Sequence, residues 1–422
     1  MKKTLVAIAA LAATGAFAQQ LPSGANPSPA WGNGVRIIGG FDASYSNLTY
    51  KGGNKYSGVT YNSTSTSQID FLGVEDLGGG MKADFFFEND INPTTQYNTG
   101  VAGLNGIPSG TTGTLAAPVT YSNASSAQAA STWGNGQVKV GLSGAFGYVA
   151  LGAVNNAGLD WNQMSGPFGT AWGSGYGVTQ ATVGNGYGAS AKVRYDNSVR
   201  YLTPELGVAG LKGSLTYRNK NDVAANTQFS TTTGKQALSG VQELAAIYMN
   251  GPLNLIYVNL VDDGNGIAGT TSSANTQALT LTASGAKYTA NSLGGNYTMG
   301  PATLYYGRQT MKNDTNSVDS KTDRFGIKYA VTSVLNVMAS QNKLTNNVNG
   351  TTTKVTGIGA DYMLSKMTAL TFRMDRTDDG AGKLASDQAL GTSGIVGAGF
   401  PGANAAADNQ RNRTAVGLRV NF

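Results

Sequence analysis

The residues that could perform catalysis are few in this chain. The sequence contains no histidine and no cysteine. A Ser-His-Asp triad, a histidine-ligated metal and a thiolate nucleophile are therefore excluded, because each needs one of these missing side chains. Charged residues make up only 12% of the chain, well below the roughly 25% of an ordinary soluble domain. We predict no catalytic residue, no metal site and no cofactor.

Two kinds of short motif could still bind a ligand. Residues 264–269 fit the pattern G-x-G-x-x-G, but no helical pattern follows and no βαβ unit surrounds them, so a nucleotide site is not expected. Asp262-Asp263-Gly264 and Asp378-Asp379-Gly380 offer oxygen ligands of the kind that Ca²⁺ prefers. Solvated turns in surface loops explain both acidic runs more simply.

Residues 1–18 have the features of a secretory signal peptide. Lys2 and Lys3 precede an apolar run, and Ala16-Phe17-Ala18 supplies a small-x-small cleavage pattern. Without the two lysines the formal net charge falls from +6 to +4, and no basic block indicates a nucleic-acid partner. Beyond this segment no run of about 20 apolar residues predicts a helical membrane span. We divide the rest into a short extension (19–33) and one exported domain (34–422).

The exported domain consists of segments of about ten residues in which polar and apolar side chains alternate. In the last segment, 416–422, the apolar residues alternate with Gly417, Arg419 and Asn421. Short Gly- or Pro-containing turns alternate with long stretches rich in Gly, Asn, Ser and Thr, which indicates an outer-membrane barrel with short periplasmic turns and long extracellular loops. We predict an all-β fold, a 16-stranded antiparallel transmembrane β-barrel. Its strands lie near 34–48, 65–76, 81–89, 133–143, 146–153, 192–202, 208–219, 240–249, 253–261, 281–298, 302–311, 322–330, 334–343, 354–363, 367–377 and 411–422.

A barrel of 16 strands leaves an aqueous lumen, and strand alternation predicts which charges face it. Any one of these charges is also compatible with an ion pair that only stiffens the wall. The predicted pore-lining basic residues are Arg36, Lys82, Lys139, Arg194 and Arg200, and Asp42, Asp84 and Glu88 share their face.

Several segments resemble the general porins of beta-proteobacteria, the neisserial and Comamonas type. They are residues 71–83, 140–147, 196–201, 359–366 and 417–422. The resemblance implies a water-filled channel in the outer membrane of a Gram-negative bacterium, through which ions and small hydrophilic solutes diffuse passively. It also implies a homotrimer and a third long loop that folds inward to narrow each pore.

The third loop would be about 154–191, and Ser165 to Gly169 looks like the turn at the family's constriction. Asp160 is the loop's only charged residue, so it is predicted either to line the pore or to cap a turn. Family members commonly have Arg or Lys at four wall positions that are neutral here, so we expect weak selectivity in place of the family's usual anion preference. These positions are Gln68, Leu72, Gly136 and Ala153.

Phe422 closes the last alternating strand, and the resemblance implies that the barrel-assembly machinery reads such a terminal aromatic residue. Outer-membrane lipid and lipopolysaccharide are the other expected partners, beside the diffusing solutes. Two alternatives remain open: an adhesin that uses the barrel as a mount, and a substrate-specific channel. The second rests on loop aromatic residues along which sugars could slide, namely Trp161, Phe168, Trp172 and Tyr176.

Overall fold

A computed structural model of the chain describes most of the exported domain. The predicted signal peptide, residues 19–31 of the predicted extension and the motif at 264–269 lie outside the described residues. Within the described part, no helix is both long and apolar enough to cross a membrane. The described residues are 32–52, 55–91, 93, 134, 136–176, 178, 179, 194–220, 240–263, 287–380 and 409–422.

The described strands form one antiparallel sheet that closes on itself, because the first strand pairs with the last. One short helix follows the sixth strand. The strands are β1 (Gly34–Tyr50), β2 (Lys55–Tyr61), β3 (Gln68–Gly78), β4 (Met81–Asp90), β5 (Val138–Gly144), β6 (Gly147–Asn155), β7 (Arg194–Leu202), β8 (Leu211–Arg218), β9 (Gly240–Asn250), β10 (Leu253–Asp263), β11 (Lys287–Met299), β12 (Ala302–Asn313), β13 (Asp319–Ala330), β14 (Leu335–Asn346), β15 (Thr352–Met363), β16 (Thr368–Asp379) and β17 (Gln410–Asn421); the helix α1 is Ala157–Met164.

The barrel has 16 strand positions, as predicted, although the described sheet contains 17 strands. β2 and β3 share one position, since β3 pairs with the first half of β1 and β2 with its second half. The sequence analysis placed no strand between residues 48 and 65, so β2 is a correction. Residues 62–67 separate the two strands and bind Asp42, which accepts hydrogen bonds from the backbone N–H (2.5 Å) and hydroxyl (2.6 Å) of Thr64. This local hydrogen bonding replaces the sheet ladder for six residues.

Alternation separates an apolar outer face from a polar inner face. In β1 the outward side chains of Val35, Ile37 and Tyr45 are 69%, 57% and 59% exposed, whereas the inward Asp42 and Ser44 are buried. The exposed large hydrophobic residues recur on strands around the whole barrel. Exposure of so much apolar surface fits lipid as the surrounding medium, and closure of the sheet joins the edges of its first and last strands in that medium.

The connections differ in length between the two rims. The turns on one rim are short, and glycines with positive φ form them, such as Gly79 (61°), Gly251 (57°) and Gly300 (59°), a backbone region that only glycine enters without strain. The long intervals between strands all fall on the opposite rim, at 91–137, 156–193, 219–239, 264–286 and 380–409. Both β1 and β17 have their free ends at the short-turn rim.

Candidate functional site

The chain that follows β6 lies against the inner wall of the barrel. Helix α1 packs on β9, β10 and β11, and its Trp161 and Met164 share a buried cluster with Ile247 and Ile256 of the wall. Further along, Phe168 packs with Met338 of β14. We call residues 156–179, of which all but 177 are described, the inner segment. Its position is consistent with the predicted inward fold of the loop at 154–191, whose residues 180–191 lie outside the described part.

The start of the inner segment is held by two side chains that accept hydrogen bonds from the first turn of α1. Asn156 caps the helix by accepting from the backbone N–H of Leu159 (3.0 Å). The carboxylate of Glu243 on β9 accepts from the N–H groups of Ala157 (2.7 Å) and Gly158 (3.2 Å). A negative charge at a helix N-terminus is stabilised by the unpaired N–H groups and the helix dipole. The wall thus fixes where the helix begins.

Asp160 and Arg200 form an ion pair between α1 and β7. The guanidinium and the carboxylate are 2.6 Å apart, and their side chains are 0% exposed for Asp160 and 1% exposed for Arg200. Arg200 also donates to the backbone oxygen of Asn155 (2.8 Å) and to Oγ of Ser214 (3.0 Å). Two of the predicted pore-lining residues are therefore joined in one buried pair, a geometry that favours the wall-stiffening interpretation for both.

Arg324 of β13 holds the middle of the inner segment. Its Nη1 donates to Oδ1 of Asn162 (2.7 Å) and its Nη2 to the backbone oxygen of Ser174 (2.8 Å), while Nε donates to Asn342 of β14 (3.1 Å). The guanidinium also lies 5.2 Å from the centre of the Trp161 ring. The planar fork of arginine allows these donors to act together. One wall residue thus joins two parts of the inner segment that are twelve residues apart.

The far end of the inner segment is fixed to β16 and β17. The N–H of Gly173 donates to the carboxylate of Asp375 (2.9 Å), which also pairs with Arg413 (2.6 Å). The Arg413 guanidinium lies 4.5 Å from the centre of the Trp172 ring. The N–H of Trp172 donates to the backbone oxygen of Ser63 (3.1 Å), in the interruption between β2 and β3. The segment therefore follows the inner wall from β9 to β17 and reaches the point of closure.

Wall glycines provide the space in which the inner segment lies. A Cβ added at Gly294 or Gly307 would be 2.7 Å from the Cβ of Ser165, closer than real Cβ atoms approach. Added Cβ atoms at the remaining wall positions would collide with Pro167, Phe168 or Gly173. Any larger residue would push the segment away from the wall, towards the barrel axis. The glycines in this track are Gly294, Gly307, Gly326, Gly357 and Gly359.

Four other predicted site residues form ion pairs on the opposite wall. Lys139 of β5 donates to the hydroxyl of Tyr148 (2.8 Å), which donates to Asp84 of β4 (3.0 Å), and Lys139 and Asp84 are 3.9 Å apart. Arg194 of β7 pairs with Glu88 of β4 at 3.3 Å. The structure thus brings four predicted charges together as two pairs of opposite sign.

Arg36 and Lys82 are half-buried on the inward parity of β1 and β4. In the ranges that the structure describes, neither of them has an ion-pair partner within 4.0 Å, and no group of three or more acidic side chains is arranged to hold a metal ion. Phe422 is 42% exposed beside Phe41 and exchanges two backbone hydrogen bonds of 3.1 Å with Gly39. It therefore completes the contact between the first and last strands.

The sequence analysis missed Glu243, Arg324, Asp375 and Arg413 as contacts of the inner segment. Alternation in β9, β13, β16 and β17 would have assigned all four to the inner face. No local pattern indicates which of the inward charges reach the segment, because the partners are far apart in sequence.

A closed antiparallel barrel with an apolar outer face, a polar inner face and a segment fixed inside it defines the class of transmembrane β-barrels. Within this class, residues 4–382 match the Gram-negative porin family. The chain belongs to the Gram-negative porins, which places it in the outer membrane. The predicted resemblance to beta-proteobacterial porins is confirmed.

Two relatives and one solved structure illustrate the similarity. Outer membrane porin protein 32 of Delftia acidovorans is 38% identical over 93 residues, 22% of this chain and 23% of the relative. An outer membrane porin protein of Bordetella pertussis is 29% identical over 274 residues, 60% of this chain and 58% of the relative. The matches thus span less than two thirds of each relative. The anion-selective porin from Comamonas acidovorans aligns over 93% of this chain and all of its own, with a TM-score of 0.65 at 19% identity, which shows a shared fold.

Proposed function

We propose that the protein forms a water-filled channel through which ions and small hydrophilic solutes cross the outer membrane passively. The observation that carries this proposal is the closed 16-position barrel whose polar interior holds a segment fixed to the wall at both ends and in the middle. We infer that such a segment narrows the lumen and leaves a water-filled path beside it. Family and fold point to a channel rather than to an enzyme.

We also propose that the channel selects weakly between cations and anions. Support comes from five ion pairs among the inner charges, each of which joins opposite signs and so presents little net field to a passing ion. The similar Comamonas porin is anion-selective, and its selectivity is the alternative outcome for this chain. The pairs are Asp160–Arg200, Asp84–Lys139, Glu88–Arg194, Asp361–Arg373 and Asp375–Arg413.

The test is current through a planar lipid bilayer that contains the purified protein. We expect stepwise conductance, and a reversal potential in a salt gradient that corresponds to a cation-to-anion permeability ratio within a few-fold of unity. Absence of current would favour the adhesin alternative. Block of the current by one class of sugar would favour the substrate-specific channel. A strongly anion-selective current would contradict weak selectivity and leave the channel proposal intact.

For assembly we propose a homotrimer that contacts outer-membrane lipid and is inserted by the barrel-assembly machinery. The outward apolar side chains support a contact between barrels or with lipid, since either would remove them from water. The alternating final strand and its exposed terminal Phe422 support recognition of this end during insertion.

A further inference from the structure

The outward face of β12 to β16 carries a cluster of charged side chains next to the long-loop rim. Basic residues outnumber acidic ones there by six to three. We call this cluster the outer basic row. Its basic members are Arg308, Lys312, Lys321, Lys343, Lys354 and Arg376, and its acidic members are Asp319, Asp323 and Asp378.

Two lysines in the outer basic row face each other across neighbouring strands. Lys343 of β14 is directly opposite Lys354 of β15, and both are exposed. Side chains at directly opposed positions have Cβ atoms about 5 Å apart, and like charges so placed repel each other. Among the described residues, neither lysine has a carboxylate within 4.0 Å. The two positive charges are therefore adjacent, and neither lysine forms a close ion pair of its own.

The nearby carboxylates are each paired with another cation. Asp323, opposite Lys343, lies 3.6 Å from Arg308. Asp378, opposite Lys354, is bound by both Nε and Nη2 of Arg376, at 3.0–3.2 Å. Asp319 pairs with Lys312 at 3.0 Å, away from the two opposed lysines. Because each carboxylate makes its close contact with another cation, Asp378 acts on Lys354 only at longer range, and the excess positive charge lies at Lys343 and Lys354.

Below the outer basic row, the same outward faces become apolar towards the short-turn rim. Phe325 follows Asp323 on β13 and is 58% exposed, and its ring is 5.1 Å from that of Tyr306 on β12. On β15, Ile358 lies four residues beyond Lys354 and is 51% exposed. A ligand that touches both zones must carry negative charge at one end and hydrocarbon at the other.

We propose that Lys343 and Lys354 bind a phosphate group of a phosphorylated glycolipid of the outer leaflet, of the lipopolysaccharide kind, whose acyl chains cover the apolar surface below. The long-loop rim of such barrels faces the cell exterior, so the row lies at the headgroup level of that leaflet. One phosphate offers several acceptor oxygens and can receive charge-assisted hydrogen bonds from both ammonium groups. Lys321 lies diagonally from Lys343 and adds a third positive charge. The proposal depends on the outer-membrane location and not on channel activity.

The test compares binding of lipid A to the full protein in detergent, measured by native mass spectrometry. The variants are the double substitution Lys343→Gln/Lys354→Gln and the control Lys366→Gln, which removes an exposed lysine from a short turn at the opposite rim. Loss of two lysines at an anionic surface should weaken binding about 10- to 30-fold. The control should bind like the unsubstituted protein.

Two further measurements separate the possible outcomes. Dephosphorylated lipid A should bind all variants equally weakly. Inorganic phosphate should not displace lipid A, because the acyl chains also contribute to binding. In lipid-free detergent the double variant should be at least as heat-stable as the unsubstituted protein, because a like-charge repulsion is removed, and added lipid A should stabilise it less. Equal binding by the double variant, or equal binding of dephosphorylated lipid, would overturn the proposal. So would a change of oligomer mass in the double variant without loss of lipid, which would assign the row to contact with a second copy.

Discussion

The substitution Asp160→Asn distinguishes a pore-lining carboxylate from one that anchors the inner segment. In the structure Asp160 has no exposed surface and is 2.6 Å from Arg200. Removal of one partner from a buried pair leaves the other charge uncompensated, at a cost of about 3–5 kcal/mol in the free energy of unfolding. Asparagine keeps one acceptor oxygen, and Arg200 keeps its bonds to Asn155 and Ser214. We therefore expect the free energy of unfolding to fall by about 3 kcal/mol, the lower end of this range.

A double-mutant cycle isolates the pair itself. The variant Asp160→Asn/Arg200→Gln removes both charges. Its decrease in the free energy of unfolding should therefore be smaller, by about 2 kcal/mol, than the sum of the decreases in the two single variants. The matched control is Asp263→Asn, whose carboxylate is 52% exposed and 3.7 Å from Lys220. An exposed pair of this kind contributes less than about 1 kcal/mol.

The measurement is urea unfolding in lipid vesicles, followed by tryptophan fluorescence, together with the reversal potential of each variant in dilute salt. An anchoring Asp160 predicts destabilisation, noisier single-channel current and little change of selectivity. The reasoning is refuted if Asp160→Asn unfolds like the unsubstituted protein and shifts the reversal potential towards anions. That result would place the carboxylate on the water-filled path, where one charge acts over about 10 Å at roughly 0.1 M salt.

Four other predictions concern the inner segment, the chain end and assembly. Gly307→Ala should destabilise the protein by about 1–3 kcal/mol and lower single-channel conductance, because its Cβ displaces Ser165 towards the axis, whereas Gly213→Ala on the outer face should leave conductance unchanged. Arg324→Lys should increase current noise, since a single ammonium cannot replace the fork of donors that binds Asn162 and Ser174; quiet current would contradict the anchoring role. Deletion of Phe422 should reduce membrane insertion far more than deletion of one residue from the interval 380–409, and equal insertion would exclude a terminal signal. Unheated protein should migrate as a trimer in detergent gels and as a monomer after boiling, and monomers in every mild detergent would contradict the trimer.

Much of the barrel follows from local sequence properties. Alternation of polar and apolar residues decides which face of each strand meets lipid, because successive side chains in a strand point to opposite sides. Turn residues such as Gly251 and Gly300 mark the short rim, since they adopt positive φ. These signals require no knowledge of distant residues. They sufficed to predict 16 strand positions, the outer-membrane class and the inward parity of Lys139 and Arg200.

What the sequence alone could not decide is which inward side chains meet. Arg324 and its partner Asn162 are separated by 162 residues, and Asp375 and Gly173 by 202. Such contacts exist only after the sheet has closed and brought β13 and β16 beside the inner segment. Asp160 lies in a polar loop of the sequence and becomes buried because α1 folds back against the wall beside Arg200 of β7. Local pattern determines the orientation of each side chain, whereas closure of the barrel determines its partner, because partners far apart in sequence are adjacent only in the folded sheet.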